Sequence, residues 1–446
     1  MMEDAGQRFL RGARKIQWTS GRVGSVYYEI GAMKRALLRA LVILAVASAA
    51  CAAAAIQSEI PRDCPFQQSS ALTGIQLTGR YRNYTHADTW YPSWASDGNL
   101  YSPWTDGYIL YPDAQQNPLP PFDPRHPGHA SNSLNFMGRN ASTAQARIAG
   151  SDPLNLFVQD IPPQIDGDPR PYGGRYPAGS LLYNGVWYYG TYTLRNNSQN
   201  DCGGVGWTEL GPFVGFRTST DGGANWLDTP HSPSQSLFGE NPDVAPVRIG
   251  APHFVDFGRN MQHSPDGKAY LLAHGSTVAS SCNNWIQADH IYLLRVKPSL
   301  QTINDRNAYE FFAGEDSAGK PIWSHRFADL KPLLDWPGHL GSASATWIPG
   351  LRRYLMFVTH GKSGTQADSM ALEAPTLTGP WRIVTYWSNF GPFAYFLNVP
   401  SKFLCPDGRT AWLLYSANFE SKPTNGTPEG SLYSFSIHEI RFMRRF

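Results

Sequence analysis

The sequence predicts an all-β chain folded as a five-bladed β-propeller, and three observations predict it. Period-2 alternation of apolar and polar residues runs through most of the chain, with no amphipathic helix of ten residues or more. Five hairpins recur, each an apolar or aromatic strand, a turn of Asp, Gly or Asn, and a second aromatic strand. One stretch, Ser219-Thr220-Asp221-Gly222-Gly223-Ala224-Asn225-Trp226, fits the Asp-box pattern of a turn tied down by its Asp with a Trp packed beneath the blade. A two-sheet sandwich is the structural alternative, because regular strands with turns also fit it.

The hairpins follow in order. The first spans Trp90 to Tyr101 around Asp97-Gly98, and the second Gly179 to Tyr189 around Asn184-Gly185. The third runs from His253 to Tyr270 around Asp266-Gly267, the fourth from Ala345 to Met356 around Pro349-Gly350, and the fifth from Pro400 to Trp412 around Asp407-Gly408. Asp and Gly at these turns are turn formers, so these carboxylates are not read as catalysts. Further strand pairs are expected at Phe213 to Trp226, Ile291 to Phe312, Ser369 to Tyr386 and Ser431 to Phe442. Five units then fill residues 85–446 at roughly 70 residues per blade, and radial packing leaves only short edges.

Residues 1–56 are set apart from the fold. Met33 to Arg39 is a basic start, Ala40 to Val46 an apolar run and Ala47 to Ala50 a small-residue stretch, the order of a secretory signal over residues 33–56. Residues 1–32 read as an upstream extension from a misassigned start. The apolar stretch from Ala40 to Ile56 is 17 residues and mostly Ala, at the bottom of the membrane-spanning range, so no stable span is expected. The chain is therefore placed as secreted or periplasmic; Cys51 follows Ser48-Ala49-Ala50, which is compatible with lipidation without favouring it. Residues 57–84 form an N-terminal segment that can close the last blade, ahead of the propeller domain at 85–446.

Aromatic residues at 13% with charged residues at 16% are the reverse of a disordered composition. The formal net charge of +2 without a block of like charge leaves no footprint for a nucleic-acid binder. Removal of residues 1–56 leaves 29 basic against 32 acidic residues. Four cysteines remain, an even number that in an exported chain suggests disulfides. If Phe66 to Arg80 pairs with the last blade, Cys64 and Cys405 become neighbours and Cys202 and Cys282 are left to each other, one of three possible pairings. No C-x-x-C spacing points to zinc. Sequons stand at Asn83, Asn140, Asn196 and Asn425.

The inner strand of each blade lines a propeller axis, so polar residues there converge at one mouth. The first blade offers His86, Asp88, Trp90 and Tyr91, with Asp106 on its second strand; Arg175 precedes the second hairpin. The third offers His253, Asp256, Arg259, Asn260 and His274, the fourth His339, and the fifth Tyr395, Asn398 and Lys402. Such groups are costly in an apolar channel unless they pair or meet a ligand. Trp90, Tyr91, Trp94, Tyr101, Trp104 and Tyr108 cluster within about twenty residues; most serve blade packing, while exposed faces would stack on sugar rings. No Gly-rich phosphate loop, G-x-S-x-G elbow or H-E-x-x-H helix is present.

The arrangement resembles the five-bladed propeller glycosidases, which include arabinanases, β-xylosidases, invertase-like enzymes and agarooligosaccharide hydrolases. Asp88-Thr89-Trp90 through Trp104-Thr105-Asp106-Gly107 is also similar to a propeller family with endo-D-arabinanases among its members. The likeness implies a general base at Asp88 and a general acid from a central blade, for which Glu240, Asp256, His253 and His339 compete; inversion is the commoner outcome in the resembled families. Asp88 with Asp256 is one pair that could serve. Arg175, Arg259 and Lys402 would orient hydroxyls or a carboxylate. No cofactor is required, although inward Asp and His could hold calcium, as in some arabinanase-like enzymes. The expected partner is a poly- or oligosaccharide, and the protein is expected to be a monomer. A polysaccharide lyase working through His86, His253, His339, Tyr395 and Arg259, and a non-catalytic lectin, are the competing readings. The insertions at 111–147 and 195–210 would shape the pocket.

Overall fold

The structure is a computed structural model that describes residues 58–109, 129–131, 142–166, 175–195, 209–278, 283–363, 366–391, 393–417 and 428–444. The expected signal and upstream segments, Cys202, Cys282, and the sequons at Asn140, Asn196 and Asn425 lie outside them, as do most of the two insertions. Among the described residues no helix is long and apolar enough to cross a membrane.

Five antiparallel sheets form the five blades of a β-propeller. The chain enters on β1 (Leu72–Asn83), which belongs to the last blade. The first blade holds β2 (His86–Asp88), β3 (Ser93–Trp94), β4 (Leu100–Ile109), β5 (His129–Ser131), β6 (Ser142–Ala149) and β7 (Phe157–Asp166). The second holds β8 (Arg175–Tyr183), β9 (Val186–Arg195) and β10 (Glu209–Ser219). The third holds β11 (His253–Phe254), β12 (Ala269–Gly275), β13 (Ala288–Val296), β14 (Glu310–Glu315), β15 (Pro321–Ser324) and β16 (Pro332–Leu340). The fourth holds β17 (Ala343–Ile348), β18 (Arg353–Ser363), β19 (Gln366–Ala374) and β20 (Arg382–Trp387), and the fifth β21 (Tyr395–Asn398), β22 (Thr410–Ser416) and β23 (Ser436–Arg444). The five expected hairpins each fall in a separate blade. In the fifth, the inner strand is Tyr395–Asn398, because Pro400 leads Ser401–Phe403 into a 3-10 turn.

Closure of the ring is made by β1. It pairs antiparallel with β23, with Ile75 opposite Phe442 and Leu77 opposite Ile440, so the first strand is the outer strand of the last blade. Upstream, the chain runs along β20: Ser58 and Ser69 donate backbone N–H to the carbonyls of Tyr386 and Ile383. This path corrects the expected Cys64–Cys405 pair. Cys64 is carried onto the outer edge of the fourth blade, where its thiol faces the Phe66 carbonyl, while Cys405 stands in the turn before β22; both are free. Asn83 is buried and its amide donates to the Gly430 carbonyl (2.7 Å) and Ser436 Oγ (2.8 Å), so this sequon is engaged inside the folded chain.

The turn chemistry is as expected. Asp97, Asp266 and Asp407 accept from the backbone N–H two residues on, at Asn99, Lys268 and Arg409. Gly98, Gly267 and Gly408 follow with φ of 87°, 72° and 62°, where a side chain would be strained. In the Asp-box, Asp221 accepts from Ser219 Oγ (2.8 Å), Asn225 N (2.9 Å) and Asn225 Nδ2 (2.7 Å). Trp226 packs on Trp187 and Tyr189, with the buried Arg217 guanidinium over its ring. Hydrogen bonds from Asn225 and Ser219 hold the Asp221 carboxyl down at about 2. A carboxyl lowered by folding contributes stability above its unfolded pKa and loses it as pH falls through the folded one. Asp221→Ala should therefore lower Tm at pH 7, and the gap to wild type should close between about pH 4 and pH 2; a gap independent of pH would contradict this.

Candidate active site

The inner strands begin at one mouth of the propeller, and Asp88, 6% exposed, stands there on β2, the first segment of an inner edge that resumes as β3. Three hydroxyls converge on it. Tyr395 donates to Oδ2 at 2.7 Å, Thr89 Oγ1 to Oδ1 at 2.9 Å, and Tyr433 bonds the same carboxyl. Asp106 is brought alongside by the sheet, since Asp88 is opposite Thr105 in the β2–β4 register. Burial first, and then the charge of Asp106, push the Asp88 carboxyl well above the ordinary carboxylate range, against the pull of the three hydroxyls.

Backbone strain is concentrated at this mouth. Thr89 (φ 64°), Asp106 (φ 54°), Phe393 (φ 56°) and Phe396 (φ 57°) all hold left-handed conformations without being glycine. Gly107 follows Asp106 because a Cβ there would lie 1.8 Å from the His86 carbonyl oxygen. The register of the two carboxylates thus rests on close contact between the backbones of β2 and β4.

A tyrosine ring encloses the pair. Tyr176, Tyr192, Tyr395 and Tyr433 feel the charges of both Asp88 and Asp106, and burial raises all four hydroxyls so that they remain donors. Trp285 stands edge-on to Tyr395 (5.2 Å) and Phe396 (5.6 Å). Deeper on the axis, Tyr91 stacks on His253 at 3.8 Å, and the Tyr91 hydroxyl is buried with no hydrogen-bond partner among the described residues. His274 lies behind His253 and holds the Asn284 carbonyl through Nε2 at 2.9 Å. His86 is half-buried at the edge, against Tyr433 (5.7 Å). Burial lowers all three histidines, His274 to about 4.

The remaining expected residues have other duties. Asp256 does not pair with Asp88: its oxygens accept from Ser401 N (2.7 Å), Ser401 Oγ (2.7 Å) and Gly258 N (2.9 Å), a staple between the third and fifth blades. Glu240 is buried and spends both oxygens on the backbone N–H groups of Arg248 (2.8 Å) and Ile249 (2.9 Å), holding a loop. Trp90 is blade core, donating to the Ala87 carbonyl and packing on Trp104 and Phe435. Asn398 bridges the Trp90 and Phe396 carbonyls. Arg175 pairs with Asp228 at 2.9 Å. His339, expected in the fourth blade, lies instead on β16, which pairs with β13 of the third, stacked on Trp336 (4.4 Å) and 5.2 Å from His360 of the fourth. Arg259, Asn260 and Lys402 follow the inner strands and stand at the opposite mouth; Arg259 donates to the Ser96 carbonyl and Asn260 ties Asn184. Trp285, Tyr192 and Tyr433 were not expected at the site; they come from loops and from a second strand, where no inner-strand pattern marks them. Among the described residues no three His, Cys, Asp or Glu side chains converge as a metal ligand set.

Comparison with known proteins gives the following. No family model matches the chain, and no curated protein does. Similar solved structures include a putative hydrolase from Bacteroides ovatus, 10% identical, covering 87% of this chain and 96% of that one with a TM-score of 0.43. A GH43_1 enzyme from Xanthomonas citri is 12% identical over 81% of this chain and 89% of its own, TM-score 0.42. An α-L-arabinofuranosidase from Podospora anserina, in complex with cellotriose, is 11% identical over 85% and 98%, TM-score 0.40.

A buried imidazole lowered by desolvation stays neutral below its ordinary range. Nitrogen NMR at pH 5 should therefore show His274 still neutral; half-titration near 6.5 would contradict its burial.

Proposed function

We propose that the chain is a glycoside hydrolase working at the Asp88 mouth. The observation that carries this reading is the Asp88–Asp106 pair, two carboxyls brought together by the β2–β4 register within a ring of tyrosine donors, where burial and the Asp106 charge oppose ionisation of Asp88. Glycoside hydrolysis needs one carboxylic acid to protonate the leaving oxygen and one carboxylate to activate water or attack the sugar. Environments that push two carboxyls apart assign those roles. Asp88 is the more buried and its carboxyl is pushed up, which suits it to carry the proton to the leaving oxygen, and the less buried Asp106 takes the carboxylate role. This exchanges the role that the family resemblance implies for Asp88. The tyrosine hydroxyls supply donors to sugar oxygens, and Trp285 with Phe396 gives an apolar wall.

A lyase would need a free cation at this mouth to neutralise a uronate, as well as a basic His or Tyr. Arg175 is committed to Asp228, Arg259 and Lys402 stand at the far mouth, and the tyrosines are raised away from ionisation. The hydrolase is the better fit.

Wild-type protein should release reducing ends from a neutral poly- or oligosaccharide without ultraviolet absorbance of an unsaturated uronate; absorbance would transfer the assignment to a lyase. Asp88→Asn should lose about 10²–10⁴-fold on a natural glycoside, as for loss of a general acid. It should retain much more activity on an aryl glycoside whose leaving group needs no proton. Asp106→Asn should fail on both and recover with azide. The reverse pattern would restore Asp88 as base.

The Tyr395 hydroxyl favours ionised Asp88, so its removal raises the Asp88 pKa further. An acid kept protonated to higher pH moves the alkaline limb of kcat/KM upward in Tyr395→Phe; a downward shift would contradict the assignment.

A further inference from the structure

The strand that brings Tyr395 to Asp88 is irregular. β21 pairs with β22 through Tyr395 opposite Ser416 and Asn398 opposite Leu414, so three residue steps on one strand face two on the other. That is a β-bulge, a device that turns a side chain to a new direction beside active sites. Within it Phe396 is left-handed, with φ 57°. The β2–β4 pair has the matching irregularity: His86 is opposite Tyr108 and Asp88 opposite Thr105, with Asp106 left-handed inside the longer stretch. Thr89, which donates to Asp88, is left-handed as well. Such conformations persist only where the surroundings over-determine them.

One side chain reaches both irregular segments. The Asn398 amide nitrogen donates to the Trp90 carbonyl at 2.9 Å and to the Phe396 carbonyl at 2.9 Å. Trp90 directly follows Thr89, and Phe396 directly follows Tyr395. The amide therefore ties the backbone beside the Thr89–Asp88 bond to the backbone beside the Tyr395–Asp88 bond, from the fifth blade to the first and across 308 residues of chain. An amide nitrogen carries two protons, and both are engaged here, so none is left for a sugar oxygen. This corrects the expectation that Asn398 binds substrate. Asp106, Tyr91, Tyr176, Tyr192 and Tyr433 also face Asp88, from the first, second and fifth blades. Asn398 instead bonds the two backbones that carry the acid and its donor.

We propose that Asn398 is a positioning residue for the Asp88 acid: its amide fixes the bulge of β21 against the first blade and so holds the Tyr395 and Thr89 hydroxyls on the Asp88 carboxyl. The role rests on the reading of Asp88 as the acid, while the geometry that Asn398 fixes can be followed without turnover. Without the clamp the hydroxyls draw away, and a carboxylate with fewer donors is harder to ionise.

Carboxyl carbon NMR of Asp88 in Asn398→Leu, which removes the donors at similar volume, tests this. The Asp88 midpoint should rise relative to wild type, as in Tyr395→Phe. The rise in the double variant should be smaller than the sum of the two, because both changes remove the same Tyr395 bond. On a cleaved glycoside, kcat should fall about 10–10²-fold with KM little changed. Asn398→Ser replaces Asn398→Leu if the latter does not fold. A midpoint unmoved in a folded variant, or a fully additive double variant, would overturn the proposal whether or not glycosides are cleaved. So would free solvent exchange of both Asn398 amide protons in the wild-type protein, which needs no variant. A shifted midpoint in a protein that cleaves no glycoside would uphold the clamp and remove the hydrolase reading alone.

Discussion

The site depends on the pairing of β1 with β23. That contact closes the propeller, and β2 begins three residues after β1 ends, so closure and placement of Asp88 are one structural event. The junction is pinned from the last blade: the Thr85 N–H donates to Ser434 Oγ (3.3 Å), the Phe435 N–H donates to Thr85 Oγ1 (2.8 Å), and Asn83 reaches Gly430 and Ser436. Tyr433 and Tyr395, which both bond Asp88, belong to that same blade. A carboxyl so far removed from water is tolerated because two of the donors that replace the solvent, Tyr395 and Tyr433, come from the blade that β1 completes.

Around this junction the fold separates two uses of buried polar groups. Asp256 and Glu240 are each surrounded by backbone or side-chain donors fixed within the scaffold, and they hold blades and loops in place. Asp88 instead meets hydroxyls on the wall of the mouth, with a second carboxyl opposing its ionisation. The first arrangement spends the carboxylate on structure. The second leaves a proton poised near a surface where strained residues, Thr89 and Asp106 among them, already depart from relaxed backbone.

The sequence made the scaffold legible because its signals are local. Asp-Gly turns, the Asp-box and aromatic alternation each report on a few adjacent residues, and all lie where those signals place them. Asp88 and Tyr395 could be singled out because polar residues in inner strands are costly, and Asp106 from the second-strand run Trp104-Thr105-Asp106-Gly107. What the sequence left open was which buried carboxylate would find backbone donors, a matter of contacts far along the chain. Asp256 meets Ser401 across 145 residues, and no spacing announces it. The same holds for Trp90 against Trp285: Trp90 follows the inner strand β2 yet is enclosed between Trp104 and Phe435, while Trp285, from the loop between β12 and β13, faces Tyr395. Arg259 and Lys402 show the complementary limit, for a strand a few residues long puts neighbours in sequence at opposite mouths.

The most direct test of this account is the titration of Asp88 itself, followed by carboxyl carbon NMR in wild type and in Asp106→Asn. The account predicts a midpoint clearly above the ordinary value of 3.8, moving down when the Asp106 charge is removed while staying elevated by burial. A midpoint at or below 3.8, or one unmoved by the substitution, would contradict a proton held between these two carboxyls.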